Sequence, residues 1–376
     1  MKRDTPPFRA DHVGSLLRPP ALLAARAARA AGEIPAEELR SVEDDAIRDV
    51  VRMQREVGLQ SATDGEFRRT SWHMDFIYRL GGIGQSDEKI TVAFRNASGP
   101  LEFTSAALRV HSPIRLEEPI FAEDFAFLKS TVETVGAPKL TPKLTIPSPS
   151  MVHYRGGPAA IDPAVYPDEE MFWADLSDAY AAQVRAMAEL GCTYLQLDDT
   201  SLAYLNDPDQ RAQLSARGDD AEHQHLRYIR QINAALRDRP AGLSVTTHMC
   251  RGNFRSSWAA EGGYDFVAEA LFSELAVDGF FLEYDDERSG GFAPLRFVPP
   301  GKQVVLGLVT TKSGALESKE TLKRRIEEAS KYVPLEQLCL SPQCGFSSTV
   351  EGNVLSYDEQ VAKLALIVET AADVWG

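Results

Sequence analysis

Short runs of apolar and polar alternation recur eight times along the chain, each closing on polar or glycine residues. They cover residues 8–15, 59–66, 144–150, 194–199, 242–250, 279–285, 303–311 and 338–346. A period of two predicts strands. Between them the spacing lengthens to the helical period over 20–57, 169–190, 220–236, 265–275, 319–332 and 356–374. Gly58 and Gly191 stand where helices stop. Strands alternating with helices predict parallel pairing and right-handed crossovers. Eight such units predict an α/β fold, a (β/α)8 TIM barrel formed by residues 1–376 as one domain. One segment interrupts the rhythm, from 81 to about 139. Its apolar runs at 89–95 and 100–103 flank Asn96-Ala97-Ser98-Gly99, which predicts a β-hairpin inserted after strand two.

Composition narrows the function. A net charge of −15 excludes non-specific attraction to nucleic acid or anionic membranes, so an anionic ligand needs a local basic group. The start, Met1 to Pro7, lacks the apolar core of a secretory signal, and no apolar run is long enough to span a membrane. The expected location is the cytoplasm, where Cys192, Cys250, Cys339 and Cys344 stay reduced.

Chemistry in a barrel collects at the C-terminal ends of its strands. Here those ends read His12-Val13-Gly14-Ser15, Asp64-Gly65-Glu66, Asp198-Asp199, His248-Met249-Cys250, Glu283 and Cys344-Gly345. Residues two apart on a strand share a face, so His248 and Cys250 aim at one point. Cys344 ends the last strand, and Glu283 ends the strand beside His248. His, two Cys and Glu make a set that zinc accepts, with the carboxylate exchangeable for a substrate thiol. A thiol bound to zinc is readily deprotonated, giving a nucleophile at neutral pH. The plain alternatives are packed cysteines and, for Glu283, a solvated acid in the run Glu283, Asp285, Asp286, Glu287. Cys192 and Cys339 are read as core.

Several ordered motifs add a family likeness. They are Val13-Gly14-Ser15 with Arg18-Pro19, Asp64-Gly65-Glu66, Gln196-Leu197-Asp198-Asp199, Thr247-His248-Met249-Cys250 with Phe254, and Pro342-Gln343-Cys344-Gly345-Phe346. Together, and over essentially the whole chain, they resemble the catalytic half of cobalamin-independent methionine synthase, and more closely its short single-barrel relatives. The resemblance implies zinc held by His248, Cys250, Glu283 and Cys344. It also implies that Ser15, Glu66 and Asp198 read the amino-acid substrate, two carboxylates suiting an ammonium group. The long enzyme has a second, N-terminal barrel that this chain lacks. Where the family carries Asp-x-His-Ser after strand seven, this chain has Thr310-Thr311-Lys312-Ser313, so Lys312 occupies the proton-handling position.

The leading expectation is therefore a zinc-dependent methyltransferase converting homocysteine to methionine, with Asp198 and Lys312 catalytic. The methyl donor is 5-methyltetrahydrofolate or a corrinoid, and self-association is left open. Arg18, Arg68 and Arg69, just past strand ends, are candidate anion binders, with solvated surface arginines as the alternative. Trp72, Trp173 and Trp258 could stack a pterin but suit a core equally. His12 and His153 are read as structural, and His73, His111, His223 and His225 carry no signal. The second reading alkylates another thiol, as epoxyalkane:coenzyme M transferases do, although Glu66 and Asp198 would repel a sulfonate. Metal-free decarboxylases and binding proteins have no use for converging cysteines.

Overall fold

The structure, a computed structural model, describes residues 3–96, 99–136 and 139–376. Met1 and Lys2, the two central residues of the expected hairpin turn (Ala97 and Ser98), and Ala137-Pro138 lie outside the described residues. Nine strands follow in order: β1 (Ser61–Ala62), β2 (Gly81–Asn96), β3 (Gly99–Arg115), β4 (Thr141–Pro147), β5 (Tyr194–Asp199), β6 (Ser244–Met249), β7 (Gly279–Glu283), β8 (Gln303–Val309) and β9 (Leu338–Pro342). Seven form one sheet in the order β1-β4-β5-β6-β7-β8-β9, parallel throughout.

The eighth place in the ring belongs to residues 9–16. On one side Asp11 N donates to Leu340 O (3.0 Å) and Leu340 N to Arg9 O (2.8 Å). On the other, Leu16 N donates to Gly65 O (3.1 Å) and Thr63 Oγ1 to Gly14 O (2.6 Å). This closes the (β/α)8 barrel, but the expected first strand is reduced to a single bridge, Ala10 with Leu340. The reason is local: Phe8 N and His12 N both donate to the Asp11 carboxylate instead of to a ladder. Strand two is likewise shorter than expected. The expected strand 144–150 starts earlier and ends at Pro147, because Ser150 already opens the helix Ser150–Gly156.

The expected helical stretch over 20–57 consists of two helices, Pro20–Ala30 and Ala36–Glu56, parted at Gly32 and Pro35. Helix Glu169–Glu189 starts at an Asp168 cap, and Tyr357–Trp375 at a Ser356–Glu359 capping box. The inserted segment is more than a hairpin. β2 and β3 pair antiparallel along their length, and helix Ala122–Thr134 behind them is the barrel's own, packed beside β4 and helix Ala36–Glu56.

Within the barrel the inward positions carry Val13, Phe281, Val305 and Cys339 as a small apolar plug. Near the strands' N-terminal ends sits a buried ion pair, Lys143 Nζ 3.3 Å from Asp11 Oδ1, with no side-chain exposure on either partner. Tyr194 OH (2.8 Å) and Ser61 Oγ (3.2 Å) also donate to that carboxylate. Apolar plug and ion pair close the barrel's lower half, leaving its upper mouth for ligands.

Candidate metal centre and substrate pocket

His248 sits on β6 in register with Asp198 on β5 and Phe281 on β7. Cys250 follows the strand, two residues on, and its amide bonds back to Asp199 O (2.7 Å). Glu283 ends β7, and Cys344 lies just beyond β9. These four side chains converge: one ligand atom from each lies within 4.8 Å of all the others, and all four are buried. The thiol sulfurs of Cys250 and Cys344 are 3.5 Å apart. A tetrahedral ion with bonds of about 2.0–2.3 Å spans ligand pairs of roughly 3.3–3.8 Å, so that pair already has the spacing of a metal site.

Hydrogen bonding leaves the cluster incomplete without an ion. Glu283 Oε1 accepts from Arg251 N (3.0 Å), while its Oε2 is buried without a partner. Burial raises the Glu283 carboxyl to about 7, against the pull of Lys312. The hydrogen bond from Cys250 holds Cys344 well below the usual thiol range despite burial, with His248 assisting, and Cys250 is raised in turn. Burial disfavours a charged His248, yet its bonds to Asp198 and Cys344 lift it to about 10. A nitrogen, two sulfurs and an oxygen fit a borderline-soft divalent ion.

Beside the cluster lies a second group of polar pocket residues, Ser15, Glu66 and Asp198. Glu66 has a left-handed backbone (φ 61°), rare for a side-chain-bearing residue and a mark of a constrained position. Thr145 Oγ1 donates to its Oε1 (2.8 Å), while Oε2 is buried and unpartnered. Burial pushes Glu66 to about 7 against the pull of Arg69, with Asp198 adding to the rise. Asp198 Oδ1 accepts from Gln196 Nε2 (2.7 Å), and Ser15 Oγ accepts from Ser347 N (3.3 Å). A Cβ at Gly345 would come within 2.0 Å of Ser15 Oγ, so only glycine lets these loops meet. Asp199 points the other way, its carboxylate filled by Ser150 Oγ (2.6 Å), Ser201 Oγ (2.9 Å) and Leu202 N (2.8 Å).

The hairpin supplies the roof. Phe94 and Phe103 stack against Phe254 at 5.5 and 5.1 Å, and Arg95 exchanges backbone bonds with Trp258 (2.7 and 2.9 Å). Counted to its open mouth, the cavity beneath holds about 920 Å³. Its lining combines the polar Ser15, Glu66, Asp198, His248, Cys250 and Cys344 with the apolar Trp72, Val92, Phe94, Phe103 and Phe254.

Three expectations need correction. Arg18 does not face the pocket as a ligand-binding group. Its guanidinium is committed to Ser347 O and Oγ, Thr349 O, Glu66 O and Arg69 O at 2.7–3.3 Å. Arg68 is turned outward, against Glu43, Asp44 and Asp124 and over Phe127. Lys312 has its ammonium buried without a hydrogen-bond partner. Burial alone would lower its pKa, but Asp285, Glu283 and Cys344 outweigh that and raise it. It is a standing positive charge, whereas proton transfer at neutral pH asks for a group titrating there. Among the aromatic candidates, Trp72 lines the pocket, Trp173 is core, and Trp258 lies under Arg288. His73, Arg155, Tyr204 and Asn253 also line the cavity, although nothing in the sequence pattern singled them out.

Known proteins agree with this geometry. The model of the cobalamin-independent synthase catalytic domain matches residues 8–373. The chain belongs to that family. An uncharacterized Bacillus subtilis protein, YxjG, is 47% identical over 377 residues, covering 100% of this chain and 97% of its own. The crystal structure of a putative vitamin-B12 independent methionine synthase from Listeria monocytogenes superposes with a TM-score of 0.78 at 39% identity, over the full length of both chains. A methionine synthase of Pyrococcus horikoshii is 26% identical, covering 89% of this chain and 84% of its own. Among the described residues, no helix of this family member is long and apolar enough to cross a membrane.

Proposed function

We propose that this protein, acting as one barrel domain over residues 1–376, is a zinc-dependent methyltransferase that makes methionine from homocysteine. The observation that carries the reading is the gathering of His248, Cys250, Glu283 and Cys344 into one buried four-donor cluster beside Glu66 and Asp198. Zinc held by these four would lower the pKa of a homocysteine thiol, so that it is a thiolate at neutral pH. Glu66, with its free Oε2, and Asp198 bind the ammonium, while Ser15 and neighbouring amides take the carboxylate. That grip points the sulfur at the cluster. In the transfer the sulfur attacks the donor's methyl carbon, the S–C bond forms as the donor's N–C bond breaks, and the freed nitrogen takes a proton. The roof of Phe94, Phe103 and Phe254 keeps water from the thiolate and suits a flat heteroaromatic donor such as 5-methyltetrahydrofolate. Four free, buried cysteines accord with a reducing, cytoplasmic setting.

The reading is tested by loading the protein with cobalt(II) in place of zinc and titrating homocysteine and coenzyme M separately. Homocysteine should change the visible spectrum and support methyl transfer. A response to coenzyme M alone would overturn the choice of acceptor in favour of the alkyl-transfer reading, and full activity after chelation would overturn the role of zinc.

A further inference from the structure

The pocket lining includes two polar groups that the fold leaves unused. Arg155 ends the helix Ser150–Gly156 behind β4 and lines the cavity. Its Nε is buried without a partner, and no carboxylate or carbonyl among the described residues meets its guanidinium. Arg18 and Arg68, by contrast, spend their terminal nitrogens on carbonyls, a hydroxyl and carboxylates of the fold. Tyr204 is 1% exposed, and its hydroxyl is likewise unpartnered. Its ring stands edge-on to Tyr154 (5.7 Å), and a Cβ at Gly252 would lie 2.7 Å from its oxygen. The hydroxyl therefore overhangs the loop that carries Cys250.

An Nε and a hydroxyl buried without partners are costly, and a ligand that pairs with both groups recovers the loss. In a chain of net charge −15, this is also where an anion entering the mouth meets an uncommitted cation. His73 beside it does not compete as a second cation, since burial and then Arg155 itself hold the imidazole neutral. Trp72, Phe94, Phe103 and Phe254 offer flat apolar surface next to the pair. Val92, Arg155 and Tyr204 also line an outer groove, so a ligand longer than the inner cavity has a way out past them.

We infer that Arg155 and Tyr204 form an anion-binding subsite that takes a carboxylate carried on an aromatic body, the methyl donor's under the function proposed above. The acceptor's carboxylate is the other source of the same chemistry, but under that function Ser15, Glu66 and Asp198, which line the same cavity, take the amino acid. The assignment rests on the methyltransferase reading for the donor's name, not for the subsite.

The test uses zinc-loaded full-length protein and the variants Arg155→Gln, Arg155→Lys and Tyr204→Phe. For Arg155→Gln the KM for 5-methyltetrahydrofolate should rise about tenfold or more, with homocysteine affinity and zinc content unchanged. Arg155→Lys should recover part of the loss, and Tyr204→Phe should show a smaller rise. Loss of homocysteine affinity with the donor unaffected would overturn the assignment in favour of the acceptor's carboxylate. Calorimetric binding of 4-aminobenzoylglutamate needs neither zinc nor turnover and separates the two proposals. Binding weakened by Arg155→Gln in a protein without methyl-transfer activity supports the subsite while the proposed function fails. No binding by the unaltered protein, or binding indifferent to Arg155→Gln, overturns the subsite. Because Arg155 makes no hydrogen bond or ion pair among the described residues, its variants should melt at the unaltered temperature, which guards against misfolding as the cause.

Discussion

Nδ1 of His248 lies 3.4 Å from Oδ1 of Asp198. A side chain that lines the pocket therefore also steadies a candidate metal ligand. A carboxylate behind a ligating histidine fixes its tautomer and ring and strengthens it as a donor. Asp198→Asn should weaken zinc binding about 10–100-fold by chelator competition, and weaken homocysteine binding in protein kept saturated with zinc. If only homocysteine binding changes, the contact to His248 is incidental.

Removing either thiol tests the cluster directly. Cys250→Ser and Cys344→Ser should each lose bound zinc, about one per chain in the unaltered protein, together with activity. The thermal midpoint of the metal-free forms should stay close to that of the metal-free parent. Zinc retained in both variants would dismantle the site as drawn.

The pH response follows from Glu66, which titrates near 7 because it is buried, with Arg69 lowering and Asp198 and Asp64 raising it, and Thr145 as its hydrogen-bond donor. An ionised Glu66 holds the ammonium, so homocysteine affinity should fall as pH drops through about 7. Stability runs the other way. A carboxyl raised from 4.5 binds its proton more tightly when folded, so its contribution is full below 4.5 and is lost as pH rises through about 7. Glu66→Gln should remove both effects. Calorimetry and denaturant titrations on either side of neutrality check them, and a flat affinity profile in the parent would count against Glu66 as the ammonium's partner.

Lys312 is expected to act through charge. Lys312→Met should lower kcat, whereas Lys312→Arg, which keeps the charge but titrates higher still, should keep most of it. Loss of activity in Lys312→Arg with zinc content unchanged would restore a proton-transfer role.

Beneath the site, Lys143→Met leaves Asp11 as a buried carboxylate without its cation. The expected loss is about 3–5 kcal/mol, read from urea unfolding. A change near zero would mean that Tyr194, Ser61 and the two amides satisfy Asp11 unaided.

Much of this was legible in the chain because barrels deliver strand-end residues to one rim. The spacing of His248 and Cys250 and the strand-end places of Glu283 and Cys344 are enough to bring four ligands together. Strand one was harder to read, since the Asp11 carboxylate diverts amides that the alternation pattern assigns to a ladder. Arg18 and Arg68 misled because an arginine past a strand end looks the same whether it faces ligand, carbonyls or acids. Lys312 looked like a shuttle because a sequence does not say which charges surround it. Arg155 and Tyr204 went unseen for the converse reason: what marks them is a lack of partners, which only the folded arrangement reveals.

The Arg18 fork has a mechanical consequence. Its five contacts join the turn holding Glu66 to the loop just past Cys344, while Phe346 N holds Ser15 O at 2.9 Å. Acceptor grip and sulfur ligand thus ride on a single rivet, and strain at one is felt at the other. An ammonium has three donors and no planar fork, so lysine at this position would leave carbonyls on both loops unanswered and let metal and amino acid drift out of step.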